Sequence, residues 1–475
     1  MRIILVKPPF HRANLAPMWG DPLELEYLAA AVPDHHVEIL DMRIDRGLQA
    51  RLESFRPQLV GVTANTCDVP MAMETLRAVR TFNPRIVTAV GGAHATFLPS
   101  DFHDPAVDVV FLGLADSTFR DFVQRLDAGQ DLAGVPNLAL VRNGRLELTE
   151  HRELEVDLDR LPFPARHLLD RYRGRYRDLT GLRTAQVMTC RGCPFRCTFC
   201  SCWKVLDSRY YVRSPESIVD ELAALGGEID SVQFADDNTL HDVARAHRLA
   251  DLIRQRGIRK KLSMYARADL ISRHPDLIES LRDAGLAHLT VGFEAFRQES
   301  LKRLNKSSSL EANRAAIEVL RKNGIGNAAH FIVDPDFSRE DFQALFRHVC
   351  DHDLFQPTYT ILTPLPGTDL YQSERERLVI RNYAYFDLAH AVLPTRLSRK
   401  DFYRQFMRLY IRTYSFRRYF RSLMDDMRSR LRKELPLGRV DRLSFLALCV
   451  VHLVAQPLKF KVGRIHRTEP LIRSA

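Results

Sequence analysis

Cys193, Cys197 and Cys200 stand on one short stretch, Thr189-Cys190-Arg191-Gly192-Cys193-Pro194-Phe195-Arg196-Cys197-Thr198-Phe199-Cys200, with three residues and then two between them. Three thiolates on a tight loop hold three corners of a cuboidal 4Fe–4S cluster and leave the fourth iron without a protein ligand. An open iron is a place for a small molecule to bind and receive an electron. Gly192 and Pro194 suit a loop that must fold back around such a cluster, because Gly tolerates positive φ and Pro fixes its own. A zinc site is the competing chemistry, but zinc usually takes four ligands in two pairs, and no second pair lies at a suitable distance. Cys190 and Cys202 flank the loop and fit the spacing less well.

A loop of this kind needs elements that hold it still. From Thr184 onward, strand-like and helix-like patterns alternate: strands are expected at 184–188, 231–234, 262–265, 289–293, 329–333 and 358–362, separated by amphipathic helices. The first strand feeds the cysteine loop. Asp236 and Asp237, Arg267, Glu294 and the run Thr363-Pro364-Leu365-Pro366-Gly367-Thr368 fall at the ends of the later ones. Six β/α units make a partial barrel, and functional groups in such barrels gather at the C-terminal strand ends. The first 130 residues alternate as well, with strands expected at 2–6, 36–40, 59–63, 86–90 and 107–112, which implies a doubly wound parallel sheet. Asn65, Gly91, Gly92 and Gly113 lie at the ends of those strands, where such sheets bind ligands. No Gly-x-Gly-x-x-Gly follows the first strand, which disfavours a dinucleotide. Residues 137–148 read as a hairpin across Asn143-Gly144, and the proline-rich 157–164 stretch as a linker.

The cysteine loop resembles the signature of the radical S-adenosylmethionine (SAM) enzymes. Placed before it, Pro8-Pro9, Asp41, the GVTANT run at 61–66, GGAHAT at 91–96 and GLADSTF at 113–119 resemble the cobalamin-binding domain of the class B members. The resemblance implies an α/β chain in four parts: a Rossmann-like cobalamin domain over 1–130, a linker over 131–182, a partial (β/α)6 TIM-type radical SAM barrel over 183–375 and a C-terminal helical region over 376–475. It implies that Phe199 packs near the adenine, that Asp236 and Asp237 meet the SAM amino group, and that Arg267 and Glu294 reach the carboxylate and the ribose. Asn65, Gly91, Gly92 and Gly113 are then the cobalamin-side positions. The sequence departs from the family at two places: Leu114 and Asp116 replace two glutamates, and no Asp-x-His-x-x-Gly motif supplies a cobalt ligand. Asp101-Phe102-His103 lacks the glycine, and His94 reads as a loop hydrogen-bonder.

The implied activity is that of a cobalamin-dependent radical SAM methyltransferase with a layout similar to the hopanoid methylases. It would act on an unactivated carbon of a lipid or other small molecule, by a 5′-deoxyadenosyl radical and methylcobalamin, with an external one-electron reductant. The alternative keeps the cofactors but oxidises, cyclises or rearranges without net methylation. Methylthiotransferases need further N-terminal cysteines, and Cys67 alone does not supply them. No catalytic side chain is assigned.

The chain carries +10, and its basic excess lies at the C-terminus, where 20 Lys and Arg face 6 Asp and Glu from Arg396 onward. The apolar stretch 443–455, too short to span a bilayer and flanked by cations, suits peripheral contact with an anionic membrane. Clustered cysteines and the absence of a signal peptide imply a reducing, cytoplasmic setting, with no nucleic acid as partner.

Overall fold

The computed structural model describes residues 1–14, 20–153, 156–178, 181–354 and 356–414. The basic apolar stretch 443–455 and its flanks lie outside these. Strands β1 (Arg2–Lys7), β2 (His36–Asp41), β3 (Leu59–Thr63), β4 (Val87–Gly91) and β5 (Val109–Phe111) pair in parallel in the order β2-β1-β3-β4-β5. The central strands β1, β3 and β5 are mostly apolar and buried, as expected of a sheet covered on both faces. The expected Rossmann-like α/β arrangement is therefore present.

The N-terminal unit does not end at 130. β6 (Leu138–Arg142) and β7 (Arg145–Leu148) form the expected hairpin, but β6 pairs antiparallel with β5 and extends the sheet to seven strands. Leu169, Tyr172 and Tyr176 then pack into the same core, and the Tyr176 hydroxyl donates to Asp41 at 2.9 Å. Much of the stretch expected as a linker, 131–182, thus belongs to the first unit.

β8 (Thr184–Val187) opens the second unit. The short pair β9 (Cys190–Arg191) and β10 (Tyr211–Val212) brackets the cysteine loop. β11 (Ser231–Phe234), β12 (Lys261–Arg267), β13 (Leu286–Glu294), β14 (Gly326–Val333) and β15 (Gln356–Ile361) complete a parallel six-stranded sheet in the order β15-β14-β13-β12-β11-β8. One residue in two along these strands joins the core with the helices, such as Val187, Val232, Met264, Val291, Phe331 and Tyr359. By the period-2 rule the residues between them face the hollow of the half-barrel.

The helix Arg399–Thr413 packs across the helix Arg339–Asp351, with Phe342 and Phe402 at 5.5 Å. Tyr410 covers the edge strand: its hydroxyl donates to Tyr359 O at 2.8 Å and accepts from Tyr359 N at 3.1 Å. Within the region expected to be helical, the aromatic stretch 382–393 forms only a single turn at Tyr383–Tyr385. Asp387 accepts from the backbone N–H of Ala389 and His390, and Leu388 sits at φ 63°, so local side-chain bonding displaces the helical pattern.

The two units are joined through buried charge. Arg166 donates to Asp21 at 3.1 Å, Glu26 at 3.4 Å, Glu221 at 2.6 Å and the Gln186 carbonyl at 2.6 Å. Arg213 donates to the other Glu221 oxygen at 2.5 Å. Burial, then the neighbouring Asp21, pushes the Glu26 carboxyl from 4.5 up to about 8. The folded protein therefore holds a proton that the unfolded chain releases between those values, so stability should fall as pH rises from about 4.5 to about 8. Thermal melts of wild type and Glu26→Gln across that range check this, the Gln variant showing the flatter profile.

Candidate active site between two strand-end rims

Gly192 sits at φ 83°, where any Cβ would run into the Arg209 carbonyl, so the loop turns only with glycine there. Asp236 is buried; its Oδ1 accepts from Thr189 N at 2.6 Å and Cys190 N at 3.1 Å, and its Oδ2 accepts from Thr189 Oγ1 at 2.5 Å. Arg245 braces the same turn by donating to Thr189 O and Thr189 Oγ1 at 3.2 and 3.3 Å. Asp237 is exposed, and its Oδ2 accepts from Gly192 N at 2.8 Å. The far side of the loop is pinned by Thr198 N to Leu304 O (3.1 Å), Asn305 Nδ2 to Arg196 O (2.6 Å) and Trp203 Nε1 to Cys197 O (3.1 Å).

Within this frame the thiols of Cys193, Cys197 and Cys200 feel one another electrostatically. Burial pushes Cys193 up. It also pushes Cys197 up, against the pull of Lys306 and Arg267. A hydrogen bond from Cys202 holds Cys200 below its ordinary value. Among the described residues no three His, Cys, Asp or Glu side chains are arranged around a single metal ion. A cuboidal cluster takes one thiolate per corner iron, so its ligands need not converge on one point. The donor set, three thiols on a braced loop with cations nearby, fits that group. Beside the loop opens a cavity of about 390 Å³, lined by Thr198, Leu304, Asp334, Leu362, Leu370 and Pro394 among others.

The other barrel residues divide into two groups. Glu294 ends β13 at φ 63°, beyond a register shift, and accepts from Lys306 Nζ at 2.7 Å in a nearly buried pair. Phe199 is half-buried beside Cys200. Arg267 lies 3.6 Å over the Phe195 ring, pairs with Asp269 through Nε at 2.9 Å and donates through Nη2 to the Lys306 and Ser307 carbonyls at 2.7 and 3.1 Å. Asp236 is committed, with both oxygens spent on the loop. Neither role was visible from strand-end position alone.

The N-terminal unit brings Asn65, Gly91, Gly92 and Gly113 to the C-terminal rim of β3, β4 and β5. Asn65 N donates to Asp68 Oδ2 at 3.3 Å. Gly92 sits at φ 110°, where a Cβ would lie 2.7 Å from Ala64 O, and Gly113 N donates to Thr96 Oγ1 at 2.9 Å. Lys7, at the end of β1, adds charge to the rim by donating to Glu24 at 3.1 Å. His94 is buried under Tyr383; its ring nitrogens meet Asp101 at 3.0 Å and Thr66 at 3.3 Å. Both being engaged, His94→Gln protein reconstituted with hydroxocobalamin should show the visible spectrum of wild type. A changed spectrum would make His94 a cobalt ligand.

The two rims face each other. Arg191, inside the cysteine loop, makes a two-pronged pair with Asp116 of the GLADSTF run, the Nη2 arm at 3.0 Å. Gly367 of the TPLPGT run lies against the Phe97 ring just beyond GGAHAT. The Asp116 substitution that departs from the family pattern is thus an anchor between the units, a role that a contact across 75 residues conceals in the sequence.

Comparison with known proteins agrees with this division. The Radical SAM superfamily model matches residues 187–349, and the B12 binding domain model matches residues 16–123. The chain is 30% identical over 399 residues to the hopanoid C-3 methylase of Methylococcus capsulatus, covering 81% of this chain and 74% of that protein. It is 28% identical to the anaerobic magnesium-protoporphyrin IX monomethyl ester cyclase of Cereibacter sphaeroides, covering 87% and 70% respectively. In fold it is similar to the cobalamin-dependent SAM radical enzyme OxsB, solved with aqua-cobalamin and SAM bound, at TM-score 0.68 and 15% identity over 100% of this chain and 82% of that one. With both domains present and that degree of likeness to a methylase, the chain belongs to the class B, cobalamin-dependent radical SAM methylase family.

Proposed function

We propose that the chain methylates an unactivated carbon of a small biosynthetic molecule held between the two rims, with a hopanoid-like lipid as the nearest precedent. The observation that carries this reading is the facing of the rims, fixed by Arg191–Asp116 and Gly367–Phe97. In it Cys193, Cys197 and Cys200 hold the 4Fe–4S cluster, with Asp237, Glu294 and Phe199 on the SAM side and Asn65, Gly91, Gly92 and Gly113 on the cobalamin side. When bound, these cofactors supply a 5′-deoxyadenosyl radical that takes a hydrogen from carbon, and a methyl group that replaces it. The protein's own part is to hold and orient. Asp236 and Arg245 fix the loop, and the Glu294–Lys306 pair keeps its charges at a defined place.

Anaerobic incubation with methyl-deuterated SAM, cobalamin, reductant and a lipid extract, read by mass spectrometry, tests it. A deuterated-methyl lipid together with S-adenosylhomocysteine and deoxyadenosine is the expected result. The likeness to the magnesium-protoporphyrin ester cyclases supports a second reading, oxidation or cyclisation without methyl transfer. An unlabelled, oxidised product would select that reading.

Peripheral membrane binding through residues 428–467 belongs to the same proposal. Each cation near an anionic surface contributes about 1 kcal/mol at low salt. Full-length protein should therefore sediment with anionic liposomes and be released by salt, and protein lacking residues 428–475 should not sediment. Equal binding by both would dismiss the anchor.

A further inference from the structure

The hollow of the half-barrel is polar. Closed barrels of this kind fill their interior with layers of branched apolar side chains. Here the inward positions between the core residues include Gln233, Tyr265, Thr290, His330, Thr358 and Thr360, and none of them belongs to the apolar core. Some of this polarity is spent within the protein. Gln186 donates to the Asp21 carbonyl at 2.7 Å, Gln233 Nε2 donates to the Tyr265 hydroxyl at 3.4 Å, and His288 meets Gln356 at 3.1 Å.

His330 is not spent. It is half-buried on the inner face of β14, and among the described residues its ring makes no hydrogen bond. Its register partner on β13 is Gly292, which has no side chain to cover it. The space over Gly292 is held by the Glu294–Lys306 pair, whose Lys306 Nζ a Cβ there would meet at 2.8 Å. Its partner on the other side, Thr358 of β15, is half-buried and also makes no side-chain hydrogen bond among the described residues. Burial depresses the His330 pKa, so the ring is neutral near pH 7, with one donor and one acceptor nitrogen. An imidazole and a hydroxyl on register-paired inward positions, half-buried and unpaired, are the features of a ligand-fixing polar pair.

We propose that His330 and Thr358 anchor the substrate by hydrogen bonds, and that the molecule acted on carries an oxygen or nitrogen group (a hydroxyl, carbonyl or ring nitrogen) close to the reacting carbon. This narrows the substrate class: an unfunctionalised polycyclic hydrocarbon does not use the pair, whereas a lipid or other small molecule with a functionalised reacting end does. It rests on the proposed reading that the chain acts on a small molecule.

The test uses reconstituted full-length protein, methyl-deuterated SAM and an extract of the producing cells split into hexane-soluble and methanol–water-soluble fractions. Product formed per deoxyadenosine is the readout. Wild type should label a molecule that carries oxygen or nitrogen, in whichever fraction it is found. His330→Phe should lower the ratio at least tenfold by uncoupling radical formation from product, and His330→Gln, which keeps a donor and an acceptor, should recover part of it. Label confined to a hydrocarbon without oxygen or nitrogen, no new product in either fraction, an unchanged ratio in His330→Phe, or product and deoxyadenosine falling together would each overturn the anchor. The last of these would make His330 a cofactor contact or a structural residue. If an unlabelled oxidised product appears and shows the same variant dependence, the anchor stands and methyl transfer fails.

Discussion

Replacing Cys193, Cys197 or Cys200 with Ala, one at a time, is expected to lower iron content and SAM cleavage together by more than about a hundredfold, because changes to groups outside the ligand shell alone cost about tenfold to a hundredfold. Each residue sits on a loop whose backbone is fixed independently of its thiol, through Asp236, Asp237, Leu304, Asn305 and Trp203. The variants should therefore fold and be comparable. Cys190 and Cys202 make the contrast: Cys190 is buried against Tyr210, and Cys202 hydrogen-bonds Cys200 without sharing the spacing. Their Ala variants should keep the iron, with Cys202→Ala shifting the cluster's electronic spectrum. Retained SAM cleavage in any of the three ligand variants would remove that residue from the set.

The second large effect is expected at Asp236. Its removal leaves Thr189 N and Cys190 N buried without an acceptor and the Thr189 hydroxyl without the carboxylate it donates to. A buried group left unpaired costs about 1–3 kcal/mol, and more when charge is involved. Asp236→Ala should thus lower thermal stability by about 3 kcal/mol or more, with iron lost from the loop. Asp236→Asn keeps one acceptor and should fall between. If Asp236 instead contacted the SAM amino group, the variants would keep their iron and show only a raised KM for SAM. Iron content per folded protein and KM, measured side by side, separate the two.

Much of the fold was legible because its signals are local. Buried parallel strands are short apolar runs bounded by turn residues, and those at 59–63 and 231–234 fall at the expected positions. The hairpin at 138–148 was legible as a hairpin, but its membership of the first sheet was not, since that depends on pairing with Val109–Phe111 some thirty residues earlier. The aromatic stretch 382–393 carries a helical pattern that Asp387 and the positive φ of Leu388 override. In the site, residue types at strand ends marked where charge would gather, but not what each charge faces. Asp236 and Asp237 are adjacent in sequence, yet one is buried in the loop's backbone and the other exposed. Arg267 suits a carboxylate by its guanidinium; its contacts with the 306–307 carbonyls and the Phe195 ring come from loops that strand-end position does not reveal. Contacts between the units, such as Arg191–Asp116, arise only when two separately readable rims are brought together.

That the two rims enclose one space in which both cofactors work is tested most directly by electron paramagnetic resonance of the reconstituted, full-length protein. The sample should hold the cluster reduced and the cobalamin as cob(II)alamin, with SAM present. Facing rims predict magnetic coupling between the two spins, seen as broadened or split signals, and loss of that coupling when Arg191→Ala removes the tether to Asp116. A spectrum equal to the simple sum of the two isolated centres, in protein shown to contain both, would contradict a shared chamber.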